Sequence, residues 1–550
     1  MHADRFRTHE VENQPPPFQD VDLFAADAAL REGLAREGAD WAAQRVGEFG
    51  AICGRAETLA EGRRANERVP ELRSHDRFGQ RVDEVEFDPA WHRIMALAMR
   101  HEVHNLAWRT PRTGAYVARA ALHSLLSQVE SGACCPLTMT FACVPTLRRQ
   151  PEIAAEWEPR VCGTVYEPRP LPAARKQAVL VGMAMTEKQG GSDVRSNTTR
   201  AHALGAGGPG GEYELVGHKW FCSAPMSDAF LALARTDKGL SCFLVPRFRP
   251  DGSRNPFRIE RLKDKLGNRS NASSEIEFTG SWGRMVGEEG RGVRTIIDMV
   301  HHTRLDCVSG SAGLMRRALA EALHHIRHRA AFGKRLWEQP LMRSVAADLA
   351  LESEAATALM LRLARAYDES ARDPAERAFA RIATAVGKFW VCKRAPAMIV
   401  EAMECLGGNG YVEEAVLPRL YREAPVNAIW EGSGNVICLD VLRALAREED
   451  TLPAFLAELR AARGGDARLD AAREELERWL AKPGDVEPAA RRLVERMALA
   501  LQASLLVRCA PKEVADLFCA TRLGGAGGLG FGALAPGCDP APILERAAAP

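Results

Sequence analysis

The residues with the clearest potential for chemistry lie in the segment Tyr421–Asn435, YREAPVNAIWEGSGN. One carboxylate, Glu431, stands between a large aromatic residue, Trp430, and a flexible turn that begins at Gly432. A carboxylate beside an indole is partly desolvated, which raises its pKa and makes it a better base near neutral pH. The glycines let backbone N–H groups approach a ligand, and a helix that begins there would direct its positive end toward an anion. The alternative is a helix start with an acidic residue in its first turn.

A second candidate is the segment Met185–Asn197, MTEKQGGSDVRSN, in which a predicted strand leads into a Gly-Gly turn. Met185 and Thr186 precede this turn, and Gly191 and Ser192 lie on it. Hydroxyl groups and exposed N–H groups on such a turn suit the edge of a ring and a phosphate. An ordinary polar hairpin loop is the alternative.

A third candidate is the segment Val216–Asp228, VGHKWFCSAPMSD. An aromatic residue and a hydroxyl two positions apart on a strand share one face, so they can stack on a flat ring and donate a hydrogen bond to its edge. Phe221 with Ser223 meets this requirement, whereas Trp220 with Cys222 offers the larger ring but only a weak thiol donor. The alternative is a core aromatic residue on an edge strand.

Two further segments carry residue types that suit a dinucleotide. In Arg329–Leu336, RAAFGKRL, an arginine followed by a Phe-Gly corner can hold a pyrophosphate bidentately. The alternative for that segment is a helix end with a basic last turn. In Cys405–Tyr411, CLGGNGY, the adjacent glycines indicate either a tight turn or a backbone that lies against a dinucleotide.

The composition excludes several classes of function. The chain has 550 residues, too many for one core, and its formal net charge of +1 gives no overall attraction to nucleic acid or to an anionic membrane. No apolar run is long enough to span a bilayer. The 14 cysteines are scattered without a CxxC pair, which is typical of reduced thiols in a cytoplasmic protein. His324 and His328 have metal-ligand spacing but no third ligand, so no metal site is predicted.

The hydrophobic pattern changes from helical to β-rich and back to helical along the chain, and these changes predict four parts. These are an N-terminal arm and helical domain over 1–178, a central β domain over 179–292, a helical bundle over 293–446 and a C-terminal helical block over 447–550. The helical parts show the period of amphipathic helices, and the central part consists of short β-rich runs separated by Gly, Asp, Asn and Pro. The glycine-rich stretch LGGAGGLGFGALAPG near the end is expected to be mobile, and no role is assigned to residues 520–550.

Six motifs in order resemble the acyl-CoA dehydrogenase family, over about Gln80 to Leu445. Several ordered motifs are a far more specific signal than any one of them. The motifs are TEKQGGSD at 186–193, GHKWF at 217–221, KLGNRSNASSEIEF at 265–278, RAAFG at 329–333, LGGNGY at 406–411 and IWEGSGN at 429–435. Within the family, the wording of MTEKQGGSDV, SNTTRA, GHKWF, LKDKLGNRSNAS, LYREAPVN and IWEGSGN resembles the AidB-like branch, flavoproteins associated with the response to DNA alkylation.

The resemblance implies an α+β fold with an N-terminal helical domain, a central β-barrel-like domain and a C-terminal four-helix bundle, followed here by an extra helical block. It also implies FAD at the junction of the β domain and the bundle, and a homo-oligomer, a tetramer. The family pattern G-x-K-x-W places Phe221 at the tryptophan, so Phe221 is the preferred flavin-stacking residue and Trp220 the alternative. The implied cofactor residues are Met185, Thr186, Gly191, Ser192, Trp220, Phe221, Ser223, Trp430, Gly432, Ser433 and Asn435, with Arg329 and Phe332 reaching a neighbouring subunit's FAD and Gly407 and Gly408 on its adenine side.

The chemistry implied by the resemblance is the dehydrogenation of an acyl-CoA. Glu431 would abstract the α-proton of the thioester while the β-hydrogen leaves as hydride to the flavin. Trp430 would narrow the pocket and so favour a short or branched acyl chain. If Glu431 is not the base, His302 and Glu404 are the next candidates. The sequence does not identify the electron acceptor.

The same resemblance leaves a second function open. The chain could be a flavin-containing protein that binds double-stranded DNA and protects or repairs alkylated DNA, with weak dehydrogenase activity. The candidate phosphate contacts are Arg443, Arg460, Arg463, Arg491 and Arg492. Acidic residues are interleaved with the C-terminal arginines, a pattern typical of a solvated helix face, and Arg443 could instead support the bundle or lie at the pocket mouth.

Overall fold

A layer of helices, a closed β-sheet and a bundle of long helices follow one another in this computed structural model, which describes residues 6–481 and 486–548. The N-terminal helices are α1 (Ala28–Leu34), α2 (Ala43–Cys53), α3 (Ala56–Glu67), α4 (Pro89–Arg100), α5 (Leu106–Arg109), α6 (Ala115–Val129), α7 (Cys134–Leu147) and α8 (Pro151–Val161). After the sheet come α9 (Gly292–His328), α10 (Pro340–Glu369), α11 (Pro374–Cys405), α12 (Gly408–Tyr411), α13 (Leu417–Asn427) and α14 (Gly434–Arg447). The C-terminal block contains α15 (Thr451–Arg460), α16 (Ala467–Ala481), α17 (Ala490–Cys509), α18 (Lys512–Arg522) and α19 (Ala541–Ala547).

The N-terminal domain is helical as predicted, but it also contains a hairpin that the sequence analysis did not predict. Two antiparallel strands, β1 (Glu71–His75) and β2 (Arg81–Glu86), form a hairpin between α3 and α4. Their sequences, ELRSH and RVDEVE, offer only Leu72 and Val85 to the core of the central sheet. Because so few apolar residues alternate, the pattern lacks the signal that identifies a half-buried strand.

The central domain is a sheet that closes on itself. Its strands are β3 (Val181–Ala184), β4 (Arg200–Ala203), β5 (Glu212–Ser223), β6 (Ala229–Thr236), β7 (Gly239–Pro246), β8 (Phe257–Leu262) and β9 (Ser273–Val286). The order is β3-β6-β4-β5-β9-β7, with β8 beside β9, and an additional pairing of β6 with β7 closes the ring. This closure confirms the predicted barrel-like domain. Strand β5 carries the whole GHKWF motif.

Helix α9 runs through the middle of the molecule and packs against α6, α7, α10 and α11. Every residue from His302 to Ala320 is buried, so the polar side chains in this stretch need partners inside the protein. The clearest pair is Asp306 with Arg119 of α6, where the Arg119 guanidinium donates to both carboxylate oxygens, one of them 2.6 Å away. This pair fixes the N-terminal domain to the bundle.

The C-terminal block shares the core of the bundle. Apolar residues of α15 to α19 belong to the same buried cluster as those of α9, α10 and α11. Arg546 of α19 pairs with Glu354 of α10 at 3.0 Å and with Glu32 of α1 at 2.6 Å. Within the glycine-rich stretch, the Gly532 N–H donates to Asp348 of α10 at 2.8 Å. The mobility of this stretch stays a prediction. The hydrogen bond to Asp348 is one point at which the stretch is attached to α10.

Replacing Asp306 with asparagine leaves the buried charge of Arg119 without a counter-ion. We expect the free energy of unfolding to fall by about 3–5 kcal/mol, the usual cost of breaking a buried ion pair from one side. Urea unfolding followed by circular dichroism measures this change. The control is Glu67→Gln, which breaks an exposed pair with Arg63 and should cost less than about 1 kcal/mol. Equal losses in the two variants would contradict the structural role of Asp306.

Candidate active site

The turn between α13 and α14 holds Glu431 in an unusual backbone conformation. Its φ angle is +57°, in the left-handed region that costs a non-glycine residue roughly 1–3 kcal/mol. Gly432 follows with a φ of +109°, which only glycine adopts readily. Helix α14 begins at Gly434 with Ser433 as its N-cap, so Glu431 precedes the helix. The alternative of an acidic residue in a first helical turn is therefore wrong.

The backbone around Glu431 is held by two buried cations. Arg304 Nε of α9 donates to the Glu431 carbonyl oxygen at 2.9 Å. Lys388 Nζ of α11 donates to the Trp430 carbonyl oxygen at 2.8 Å and also to the Gly432 carbonyl oxygen. Three successive carbonyl groups are thus bound to side chains of the bundle, which offsets the cost of the strained conformation.

The carboxylate of Glu431 is tuned by opposing effects. Burial raises the pKa of Glu431, whereas the Thr303 hydroxyl and the positive charges of Arg304 and Lys388 lower it. The Thr303 hydroxyl donates to Glu431 Oε2 at 2.7 Å. A partly buried carboxylate with a raised pKa and a fixed direction has the properties of a general base near neutral pH.

The TEKQGGSD loop and strand β5 form one continuous wall. The backbone N–H of Trp220 donates to the Thr186 carbonyl oxygen at 2.8 Å. Lys219 Nζ pairs with Glu187 at 2.8 Å, and both side chains are fully buried. A Cβ atom on Gly191 would lie 2.5 Å from Thr186 Oγ1, so glycine is needed for this close approach. The two motifs that the sequence analysis treated separately therefore belong to one surface.

This wall and the Glu431 turn meet across α7. Met185 and Trp430 pack against the same apolar cluster, which includes Cys135. Burial raises the pKa of the Cys135 thiol, whereas the Ser223 side chain lowers it and the charge of Glu431 raises it, so both groups lie near the thiol. Cys135 thus connects the end of β5 to the base. A lone thiol carries no motif, so no signal in the sequence would have placed Cys135 here.

The two candidate stacking residues have different surroundings. The Phe221 ring is 54% exposed, whereas Trp220 is partly buried and has Lys263 Nζ 3.4 Å from its ring centroid. Lys263 also lies 4.6 Å from the Phe221 centroid. The Phe221 ring is therefore the more available of the two for covering a flat ligand, and the choice between them stays a prediction.

The RAAFG and LGGNGY segments lie at the surface. Arg329 donates to the Asn13 carbonyl oxygen at 2.6 Å, and the Phe332 side chain is 99% exposed. Phe332 lies at the tip of a small hairpin formed by β10 (Ala330–Ala331) and β11 (Lys334–Arg335). A Cβ atom on Gly407 or Gly408 would meet no atom within 4 Å. These positions are free to contact a ligand or a second chain, and the structure attaches the hairpin to the N-terminal arm instead of to Glu431.

A cavity of about 1050 Å³ has a lining rich in arginines, and Glu431 is not itself one of the lining residues. Trp108, Tyr116 and Tyr367 also line the cavity, together with His302, whose Nε2 lies 3.1 Å from the Tyr116 hydroxyl. Three acidic residues, Asp298, Asp440 and Glu448, only partly balance the basic groups. The basic residues are Arg195, Arg235, Arg291, Arg294, Arg377, Arg381 and Arg443.

Asp440 connects this cavity to Glu431. It accepts from Arg304 Nη1 at 2.7 Å, and the same Arg304 holds the Glu431 carbonyl oxygen. Arg443, for which the sequence analysis left pocket mouth and bundle support open, lines the cavity and lies 3.4 Å from Asp440. Glu404 is exposed on α11, whereas His302 faces the cavity.

Comparison with known proteins assigns the chain to a family. Domain models match in order: the adaptive response protein AidB N-terminal domain at 13–168, the acyl-CoA dehydrogenase middle domain at 182–281 and the acyl-CoA dehydrogenase C-terminal domain at 290–446. The putative acyl-CoA dehydrogenase AidB of Escherichia coli (strain K12) is 47% identical over 526 residues, 95% of this chain and 96% of that protein. The chain belongs to the acyl-CoA dehydrogenase family. Within the family it is an AidB-like member, as its motifs predicted.

Other acyl-CoA dehydrogenases support the same assignment. Acyl-CoA dehydrogenase family member 11 of Caenorhabditis elegans is 31% identical over 80% of this chain and 72% of its own length. The solved structure of Caenorhabditis elegans ACDH-11 in complex with C11-CoA has a TM-score of 0.85 at 26% identity, covering 95% of each chain. The structure titled Bd2924 apo-form has a TM-score of 0.82 at 27% identity, covering 92% of this chain and 100% of that one. The predicted fold is confirmed.

Family membership makes the chain an FAD-dependent oxidoreductase that acts on CH–CH bonds. The described residues fit such a cofactor. The buried Trp430 indole N–H has no hydrogen-bond partner among the described residues, and the exposed Phe221 ring offers a flat face. Over residues 6–481 and 486–548, no helix is long and apolar enough to cross a membrane, and no group of three or more His, Cys, Asp or Glu side chains could hold a metal ion.

Replacing Thr303 with valine should move the pH dependence of flavin reduction upward. The variant keeps the shape of the side chain but removes the hydrogen bond that lowers the Glu431 pKa. Because the carboxylate form is the active base, a higher pKa moves the midpoint to higher pH, by about one to two units. The measurement is the rate of anaerobic flavin reduction by an acyl-CoA between pH 5 and 9.

The control for this variant is Thr146→Val. Thr146 is also buried, and its hydroxyl donates to the Thr295 carbonyl oxygen at 3.3 Å instead of to a carboxylate. It should leave the midpoint where it is in the unmodified enzyme. An unchanged or lowered midpoint in Thr303→Val would show that Thr303 does not tune the base.

Proposed function

We propose that this protein is an FAD-dependent acyl-CoA dehydrogenase in which Glu431 removes the α-proton of the substrate. The observation that carries the proposal is the strained Glu431 held by Arg304, which also pairs with Asp440 in the lining of a cavity rich in arginines. A coenzyme A thioester combines a weakly acidic carbon with several phosphate charges. The base suits the first of these properties and the arginines suit the second.

Each group of residues has a proposed task in the reaction. Thr303 directs the Glu431 carboxylate, and Arg304 holds its backbone. Met185 and Trp430 pack beside the base and limit the access of water, which keeps the Glu431 pKa raised. The arginines of the cavity bind the phosphates of coenzyme A. FAD, when bound, supplies a hydride acceptor.

The proposed cofactor contacts follow the wall described above. Thr186, Gly191, Ser192 and Ser223, with Trp220 or Phe221, face the ring and its phosphates from the β domain. Gly432, Ser433 and Asn435 contribute from the start of α14. Arg329 and Phe332 reach the FAD of a second copy, with Gly407 and Gly408 on its adenine side. The exposure of Phe332 supports this arrangement, which requires a homo-oligomer, and we propose a tetramer.

The acyl chain remains the least constrained part of the substrate. Trp430 beside Glu431 favours a short or branched chain because it occupies space near the reacting carbons. A neighbour of similar fold was solved with C11-CoA, which makes a longer chain a necessary comparison. We propose the short or branched class and include an eleven-carbon thioester in the test.

Glu431→Gln should abolish catalysis and leave the cofactor in place. The amide keeps the shape of the side chain but cannot accept the α-proton, so anaerobic flavin reduction should slow by about 10²–10⁴-fold. The protein should purify yellow, with FAD bound. Stopped-flow absorbance with butyryl-CoA, isovaleryl-CoA and C11-CoA measures the rate for the variant and the unmodified enzyme.

Two outcomes would contradict the proposal. A colourless protein that takes up no FAD after refolding with excess cofactor would remove the flavin chemistry. An unchanged reduction rate in Glu431→Gln would show that another base acts. His302→Gln and Glu404→Gln would then distinguish the two next candidates.

The second candidate function is binding of double-stranded DNA by a flavin-containing protein. The excess of arginines in the cavity favours it, because phosphate neutralisation would attract DNA as well as coenzyme A. The C-terminal arginines support it less. Arg460 is paired with Glu477 at 3.0 Å, Arg491 donates to Asn435 at 2.9 Å, and Arg492 lies over Trp479. Their charges are thus engaged with different partners of the chain.

Reversing the four C-terminal arginines tests this second function. Arg460, Arg463, Arg491 and Arg492 changed to Glu should weaken duplex binding about equally for unrelated sequences, and the FAD spectrum should not change. Fluorescence anisotropy at 50 mM and 200 mM salt measures affinity and its salt dependence, which should be steep. The control reverses four exposed arginines of other regions, Arg55, Arg68, Arg77 and Arg175. No binding at low salt by folded, yellow protein would eliminate the DNA function.

A further inference from the structure

The left-handed conformation of Glu431 needs a structural cause, since nothing in its own side chain favours it. The torsion φ of Glu431 depends on the peptide plane that carries the Trp430 carbonyl group. The torsion ψ depends on the plane that carries the Glu431 carbonyl group. Whatever fixes these two carbonyl groups therefore fixes the conformation from which the carboxylate meets Thr303.

Lys388 holds the first of these planes. Its Nζ lies 2.8 Å from the Trp430 carbonyl oxygen and also donates to the Gly432 carbonyl oxygen, so it spans Glu431 from both sides. The Glu431 carbonyl group lies between the two carbonyl groups that Lys388 binds, and Arg304 fixes its peptide plane by donating to its oxygen. An ammonium group has three donors that can point in different directions, which suits two carbonyl groups on one turn.

The environment of Lys388 shows that its role is not that of an ordinary ion pair. The side chain is only 1% exposed, and among the described residues no carboxylate forms a salt bridge with it. By contrast, Arg304 shares its charge with Asp440. A buried lysine bound only to carbonyl groups has no counter-ion of its own, and its positive charge acts on the Glu431 carboxylate, whose pKa it lowers.

We propose that Lys388 is a positioning residue that holds Glu431 in the left-handed conformation required for proton abstraction. The inference rests on the proposed role of Glu431 as the base. It adds that the base is oriented by its own backbone and that α11 supplies the group responsible. Lys388 also favours the carboxylate form of Glu431 by its charge.

Other groups around Glu431 must be considered in any pH experiment. Arg304 and Cys307 approach it from α9, and Cys135 approaches it from α7. Burial raises the pKa of both thiols, so they remain neutral over the range in which Glu431 titrates. Arg304 keeps its charge throughout. A shifted midpoint of the pH dependence in a Lys388 variant would therefore be caused by the loss of the lysine charge.

The test compares Lys388→Met and Lys388→Arg with the unmodified holoenzyme. Methionine removes both the donors and the charge, so flavin reduction by the fastest of butyryl-CoA, isovaleryl-CoA and C11-CoA should slow by about 10²-fold. The apparent affinity for the thioester should change little. The midpoint of the pH dependence should rise, because a carboxylate without its neighbouring cation is protonated more easily. Arginine should restore at least part of the rate and the original midpoint.

A crystal structure of Lys388→Met gives a second readout that does not depend on activity. Glu431 should leave the left-handed region, and its 2.7 Å contact with Thr303 should be lost. If Glu431 keeps its conformation and this contact, the proposal is wrong. Should the methionine variant fail to fold, Lys388→Gln, which keeps one donor group but no charge, should still show the raised midpoint, and an unchanged midpoint would overturn the proposal.

The control is Lys176→Met, which removes another buried lysine. Lys176 donates to the Glu167 carbonyl oxygen at 3.1 Å and pairs with Asp228 at 2.7 Å. It should lower stability without moving the pH midpoint. A shift in this control equal to that of Lys388→Met would contradict a specific role for Lys388. If no thioester reduces the unmodified enzyme, the proposed function fails, and the crystal structure alone decides the role of Lys388.

Discussion

A charged group buried inside a protein needs a counter-ion or hydrogen-bond partner within the protein, and this constraint determines which elements pack around α9. The helix is buried on all sides for much of its length, yet it carries Arg304 and Asp306. Asp306 takes its counter-ion from α6, and Arg304 takes one from α14. The same few residues therefore join the N-terminal domain, the bundle and the turn that carries Glu431. The position of the base is set by interactions that also hold the domains together.

Local patterns were sufficient to predict the elements and the principal candidate residues. Glu431, the TEKQGGSD loop and the GHKWF strand could be selected because each lies in a short segment with an unusual combination of residue types. The β domain was predicted because its strands are short, apolar and separated by turn residues. The β1–β2 hairpin was missed because its strands are polar and expose most of their side chains.

The supporting residues could not be predicted in the same way. Thr303 and Lys388 are unremarkable positions on long helices, and each gains its significance only from the carbonyl or carboxylate group that folding brings to it. The basic character of the cavity could not be predicted from the sequence for a related reason. The chain as a whole has a net charge of +1, but arginines from separate elements converge on one space. Net charge describes the whole surface, whereas a binding site depends on the local field.

The contact between the first and last helices has a consequence for how the chain is made. Glu32 of α1 and Arg546 of α19 are 514 positions apart in the sequence. At a synthesis rate of about 5–20 residues per second, the ribosome needs roughly 25–100 s to produce the partner of a helix that has already emerged. During this interval α1 lacks the charge that pairs with Glu32 in the finished protein. Because the Glu32 side chain is half exposed, water can solvate its charge during this interval, and the pair with Arg546 closes only after the rest of the chain has been made.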